Sequence, residues 1–140
     1  RVDAWRLDGD RDTLRAGLLR TYRRGRDALH AAIDHTTDDA LHDWRKRVKD
    51  LLFQLDALRC CSGPGLGKRR RRAKELGSLL GDDHDLAVLR AGLAGHSGAD
   101  VLIHTIDVRR TALRVRAFDL GQRLYRRKPR RFLARAMASC

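Results

Sequence analysis

The sequence predicts an all-helical fold: an antiparallel four-helix bundle closed by a short C-terminal helix. Three observations carry this. Apolar residues recur every three or four positions through long runs, the spacing of one buried helix face. Only two prolines interrupt 140 residues. No stretch alternates apolar and polar residues as a half-buried strand would. A chain of this length reads as one domain, 1–140, long enough to bury a real core. Short links between long helices favour antiparallel neighbours.

The first helix is expected from Thr13 to Asp34, with Leu14, Leu18, Tyr22, Leu29, Ala32 and Ile33 on one face and Asp10 or Asp12 as its cap. The first twelve residues are poorly periodic, although Trp5 and Leu7 are expected to dock on the core. "HTTDDA" then breaks and restarts the chain, with Thr36 or Thr37 as cap and Asp39 in the first turn. The second helix is expected from Asp38 to Cys60, on Leu41, Trp44, Val48, Leu51, Leu55 and Leu58. "CSGPGLG" is the clearest loop. The third helix follows from Lys68 to Ala94, on Leu76, Leu79, Leu80, Leu86 and Leu93. Gly77 and Gly81 lie inside it; glycine there costs about 1 kcal/mol relative to alanine, which suggests close packing. After "GHSG", the fourth helix is expected from Ala99 to Arg127, on Leu102, Ile106, Leu113, Ala117, Leu120 and Leu124. Pro129 ends it and opens the last helix, which runs to Ala138.

Charge narrows the function. Lys and Arg total 31 against 18 acids, a net charge of +13. An excess this large points to a polyanionic partner: nucleic acid, a phosphate polymer or anionic lipid. Most of the cations are Arg, whose rigid fork of donors suits phosphate. The competing reading is an arginine-biased soluble surface. No run approaches the roughly 18–20 apolar residues of a membrane span. Cys60, Cys61 and Cys140 show no metal-binding spacing, and no secretion signal is present, so a cytoplasmic setting is expected. The chain begins at Arg1, so it is expected to be a trimmed piece.

The stretch "LHDWRKRVKDLLF" holds the densest pattern. On a wheel of about 100° per residue, His42, Arg45, Lys46 and Lys49 form one stripe opposite the apolar face, with Phe53 at its end. Asp43 and Asp50 lie to one flank. A merely solvated face usually interleaves opposite charges, because like charges at i,i+4 repel. This stripe has no acid within it, which favours an anion site over a solvated surface. The first helix repeats the design in "RTYRRGR", where Arg20, Arg23 and Arg24 lie opposite the leucines; the two stripes could line one groove. The arginines of "GKRRRRAK" wrap around their helix, so they are expected to be solvated and to steer anions rather than grip one site.

"LGDDHDLAVLR" raises a different question. Asp83 shares a face with Leu76, Leu80 and Ala87, while Asp85 points elsewhere. A buried carboxylate needs a partner, and Arg109, placed in the apolar stripe of the fourth helix, is a candidate for it, with Asp83 or Asp85 as the acid. Successive helical residues diverge too far to chelate one ion, so no metal is expected. No nucleophile elbow, P-loop or HExxH motif supports catalysis; His42 and His84 could serve as acid or base, but no matched nucleophile accompanies them.

These elements together resemble the CHAD family, the conserved histidine α-helical domains. The family's motif, a histidine followed along one helix face by basic residues, is matched by "HDWRKRVK" at His42, Arg45, Lys46 and Lys49. Where relatives often carry Arg-Tyr or Trp-Tyr after it, this chain has Leu52 and Phe53. "LGDDHDLAVL" resembles the second element, with Asp85 the matching acid. "GLLRTYRRGR" and "LGQRLYRRKP" resemble the flanking helices through Arg20, Tyr22, Arg23, Arg24, Tyr125 and Lys128.

The resemblance implies non-catalytic binding of inorganic polyphosphate. Residues expected to contact it are His42, Arg45, Lys46, Lys49, Arg20, Arg23, Arg24, Arg109 and Lys128. It also implies two similar helical halves around a basic channel, of which this chain resembles the C-terminal half. The other half would come from elsewhere or from a second copy. No cofactor and no membrane partner are expected, and polyphosphate granules are a fitting location. The nearest rival is a nucleic-acid module, which would stack bases on Tyr22, Phe53 or Tyr125. A phosphohydrolase using His42 or His84 comes after it.

Overall fold

The computed structural model describes residues 2–58 and 65–138, with side chains from Gly9 onward. Among these, five helices follow one another: α1 (Val2–Asp34), α2 (Asp38–Ala57), α3 (Leu66–Leu93), α4 (Asp100–Leu124) and α5 (Pro129–Met137). The all-helical expectation holds. The start of α1 differs from it. The helix begins at Val2, so Asp10 and Asp12 lie inside it rather than capping it. Residues 2–12 hold one glycine and no proline, so nothing stops the helix there. Lack of apolar periodicity there did not mean lack of helix. The side chains of Trp5 and Leu7 lie outside the described residues, as does Cys60.

α2 begins as expected. Thr37 is its N-cap, and the hydroxyl accepts from the Ala40 N–H at 3.1 Å. Asp38 and Asp39 fill the first turn, where the helix dipole favours negative charge.

Successive helices from α1 to α4 run antiparallel, and side-chain contacts fix their register. Along α2 and α3, His42 meets His84, Arg45 crosses Gly81, and Asp56 meets Arg70. Along α3 and α4, Arg90 meets Asp107, Asp83 meets Arg110, and Glu75 meets Arg116. Tyr22 of α1 donates its hydroxyl proton to the Arg127 carbonyl just beyond α4, at 2.7 Å. Its ring stacks on Phe132 of α5 with centroids 4.0 Å apart.

The core centres on Trp44, Tyr22 and Phe132, with Leu18, Leu29, Leu51, Leu55 and Leu76 around them. Burying a side chain of this size contributes about 1.5–3 kcal/mol. The expected faces hold except at their ends. Ile33 and Leu102 are exposed, although Ala32 next to Ile33 is fully buried. The tight backbone approaches also fall elsewhere than expected. A Cβ on Gly77 or Gly81 would meet only ordinary contacts. One on Gly121 would lie 2.5 Å from a Trp44 ring carbon, and one on Gly25 would collide with the Tyr125 phenol.

Candidate functional site

The α2 stripe exists as drawn, and it leans toward α3. Leu41, Trp44, Val48, Leu51 and Leu55 turn into the core. That leaves His42 and Arg45 half-buried and Lys46 and Lys49 exposed. The His42 ring stacks on His84, centroids 4.7 Å apart. Its Nδ1 is enclosed without a hydrogen-bond partner. Burial, followed by Lys46, His84 and Arg45, holds the His42 pKa below its ordinary value. The ring therefore gains charge at lower pH than a free histidine.

Arg45 lies against α3 beside Gly81, where a Cβ would sit 3.6 Å from the guanidinium Nε, an ordinary contact. That Nε is buried and unpartnered. The flanking acids are turned away: Asp43 and Asp50 both face Arg47, at 3.7 and 3.9 Å. Among the described residues none of the four stripe residues has an ion pair. Phe53 stands at the end of the stripe, 77% exposed.

Beside the stripe lies an ion-pair knot, and it corrects one expectation. The buried partner of Asp83 is Arg110, not Arg109. Arg110 donates from Nε to Asp83 at 3.0 Å, and Arg114 donates to the same oxygen at 3.2 Å. Both arginines also reach Asp38, Arg114 at 2.9 Å and Arg110 through a shorter contact. The seam of α4 runs through Ile106, Arg110, Leu113, Ala117, Gly121 and Leu124. Position 109 is one residue off that seam and faces solvent. Asp85 is exposed too, as is Asp82. Among the described residues no three metal-ligating side chains converge.

Arg20, Arg23 and Arg24 are exposed on α1, but they do not share a groove with the α2 stripe. α1 meets α2 on its other flank, where Gly17 faces Gln54. Lys128 also lies elsewhere, in a cationic basin that sequence reasoning missed.

That basin is a cavity of about 760 Å³ at the opposite end of α3 from His84. Lys68, Arg69 and Arg72 line it from the first turns of α3. Arg123 from the end of α4 and Arg126 and Arg127 from the link form a second wall. Lys128 and Arg131 close it at the start of α5. No acid lines it. Within it only Arg123 has an ion pair among the described residues, with Asp119 one turn away. The solvated reading of "GKRRRRAK" is therefore half right. Arg70 turns aside to Asp56, and Arg71 faces away with it. Arg69 and Arg72, three apart, share the basin face. The available signal was a second basic run, "LYRRKPRR", at the start of the next helix junction.

Beneath the basin Arg69 rests on the buried Phe132. The Arg69 guanidinium lies 4.9 Å from the Phe132 ring centroid. Burial, and then the nearby charges of Arg127 and Arg135, hold the Arg69 pKa below its ordinary value, partly offset by the Tyr22 phenol. The expected aromatic stacking surface is largely absent: Tyr22 and Tyr125 are buried. Burial raises the pKa of both phenols.

A family model for the CHAD domain matches residues 1–94, well over half the chain, covering α1 to α3 and the whole α2 stripe. No match was found among curated proteins or among solved structures. No described helix is long and apolar enough to cross a membrane.

Proposed function

This chain belongs to the CHAD family, and from that premise and the charge geometry we propose that it binds inorganic polyphosphate without catalysing a reaction. The observation that carries the reading is the acid-free α2 face. Four basic residues rise along about 10 Å of helix. The flanking Asp43 and Asp50 are drawn to Arg47, and Asp83 is held by Arg110 and Arg114, which leaves Asp39 at the helix start as the carboxylate nearest His42. Phosphates of an extended chain would take charge-assisted hydrogen bonds from Arg45, Lys46 and Lys49 in succession. His42 would add a donor from its exposed edge. Arg20, Arg23 and Arg24 offer further contacts to a chain long enough to wrap the bundle, and a second helical half could complete the surface. A cytoplasmic protein at polyphosphate granules would meet such a ligand.

The phosphohydrolase reading gains no support from the arrangement around His42, whose Nδ1 is enclosed and unpaired rather than poised on a nucleophile. A nucleic-acid module is disfavoured because bases would find Phe53 alone of the three aromatics expected to stack them. The test is binding of long-chain polyphosphate between 50 and 300 mM salt, in competition with single-stranded DNA of equal charge. Affinity should fall steeply with salt through counterion release. Lys46→Gln with Lys49→Gln should lower the log–log slope by about 1.4–1.8. A slope unchanged by both substitutions would overturn the assignment, as would DNA displacing polyphosphate at equal charge.

A further inference from the structure

The basin and the α2 stripe differ in shape, and shape decides what each can hold. The stripe is linear. The basin gathers eight cationic side chains from α3, α4 and the α4–α5 junction around one concavity. Its centre at Arg69 lies about 22 Å along α3 from His84, so one short anion cannot bridge the two. We propose that the basin is a separate anion site that takes a compact cluster of phosphates, supplied by a short oligophosphate or by a multiply phosphorylated small molecule. This stands apart from the α2 reading, since neither site needs the other to be correct.

Four features support it. The volume of about 760 Å³ lies within the range of small-molecule sites, roughly 300–1,000 Å³. The walls carry positive charge with no lining acid, so the empty basin is self-repelling, and Arg69 is half-buried within it. A multivalent anion relieves that repulsion at several arginines together. Packing within the fold sets the base on which these side chains stand. Tyr22 holds the Arg127 carbonyl, stacks on Phe132 and so sets the floor under Arg69. Finally, two helices begin here. α3 and α5 both start without a side-chain cap, and their third residues, Lys68 and Arg131, line the basin. Backbone N–H groups of both first turns thus add partial positive charge to the side chains.

An extended polymer would use such a concavity poorly, because its charges lie in a line. Nucleic acid is a still poorer fit, since no aromatic lines the walls to stack a base.

The experiment is calorimetric titration of the full chain with orthophosphate, tripolyphosphate and inositol hexakisphosphate at 150 mM salt. At least one compact polyphosphate should bind a hundredfold or more tighter than orthophosphate, and the tighter of the two names the source. Arg72→Gln with Arg126→Gln should weaken that binding by about a hundredfold, near tenfold for each lost charge-assisted contact. Lys128→Gln with Arg131→Gln provides an independent pair should the first fold poorly. Lys46→Gln with Lys49→Gln on α2 should leave it within twofold, which keeps this result distinct from failure of the α2 assignment. If both compact ligands bind no tighter than orthophosphate, the proposal is wrong. It is equally wrong if removing the α2 lysines costs as much as removing basin cations.

Discussion

Replacing Asp83 by Asn should destabilise the fold by about 2–3 kcal/mol. Asp83 retains 4% of its side-chain exposure and Arg110 9%, so both charges are out of water. Asp83 accepts from Arg110 Nε at 3.0 Å, from Arg110 Nη2 at 3.4 Å and from Arg114 Nε at 3.2 Å. Removing one partner of a buried pair costs about 3–5 kcal/mol, chiefly because the other charge stays buried and uncompensated. Here Arg110 keeps Asp38, whose side chain is 63% exposed and whose attraction is screened by water, so the loss falls toward the lower end. Asn also preserves shape and one acceptor. Urea unfolding should show the midpoint falling by about 1 M or more at an unchanged slope. Replacing both charges, Asp83→Leu with Arg110→Met, should recover most of the loss, since no buried charge then stands alone. A midpoint shift under about 0.2 M in Asp83→Asn would show that the knot contributes nothing, and the argument from burial would fail.

Other perturbations test other links. Gly121→Ala places a methyl 2.5 and 2.8 Å from Trp44 ring carbons and 3.3 Å from Leu29. The overpacking cost of about 1–3 kcal/mol should exceed the gain of about 1 kcal/mol in helix propensity, and a raised urea midpoint would contradict this. Asp38 is held below the usual carboxylate pKa by its hydrogen bond from Arg110, with Arg114 adding to it. Its stabilisation is therefore complete above about pH 4 and is lost as pH falls through the depressed value. Asp38→Asn should remove that part of the acid limb of a stability–pH curve, and an unchanged limb would refute the assignment. His42 has a depressed pKa, so the free protein should lose stability as pH falls from about 6.5 toward that lower value. Anion binding to the same ring should strengthen as pH falls through this window; a polyphosphate affinity whose pH dependence survives His42→Gln would exclude the ring from the site.

Most of the fold could be read from periodicity, because a 3.6-residue repeat of leucines has one interpretation in a chain with two prolines. Helix ends were less legible. The start of α1 needed the absence of breakers, not the presence of a pattern, and Ile33 and Leu102 follow the apolar pattern yet are exposed. Arg109 and Arg110 show the limit of a wheel. One residue is 100° of rotation, and two adjacent arginines cannot be ranked until the seam through Ile106 and Leu113 is known. The α2 stripe was legible because all its residues lie on one helix. The basin was not, because its lining comes from residues 68–72 and 123–131, and only the packing of α5 brings them together.

The distribution of acids distinguishes a binding protein from one that is basic merely by composition. With 18 acids for 31 cations, an even spread would leave every patch partly neutralised. Instead the acids in described pairs are bound within or between helices: Asp83 and Asp38 with Arg110 and Arg114, Asp107 with Arg90, Asp56 with Arg70, and Glu75 with Arg116. Each of these inter-helix pairs fastens α3 to a neighbour, α4 to α2, or both. The α2 stripe has no ion pair among the described residues and the basin has one, Arg123 with Asp119, so like charges repel within each. The same allocation thus sets both the fold's register and its two strained surfaces. A ligand that enters the basin relieves repulsion between residues 68–72 and 123–131, segments that only folding brings together. Binding is then coupled to folding: an anion at a hundred times its Kd should add about 2.7 kcal/mol to stability.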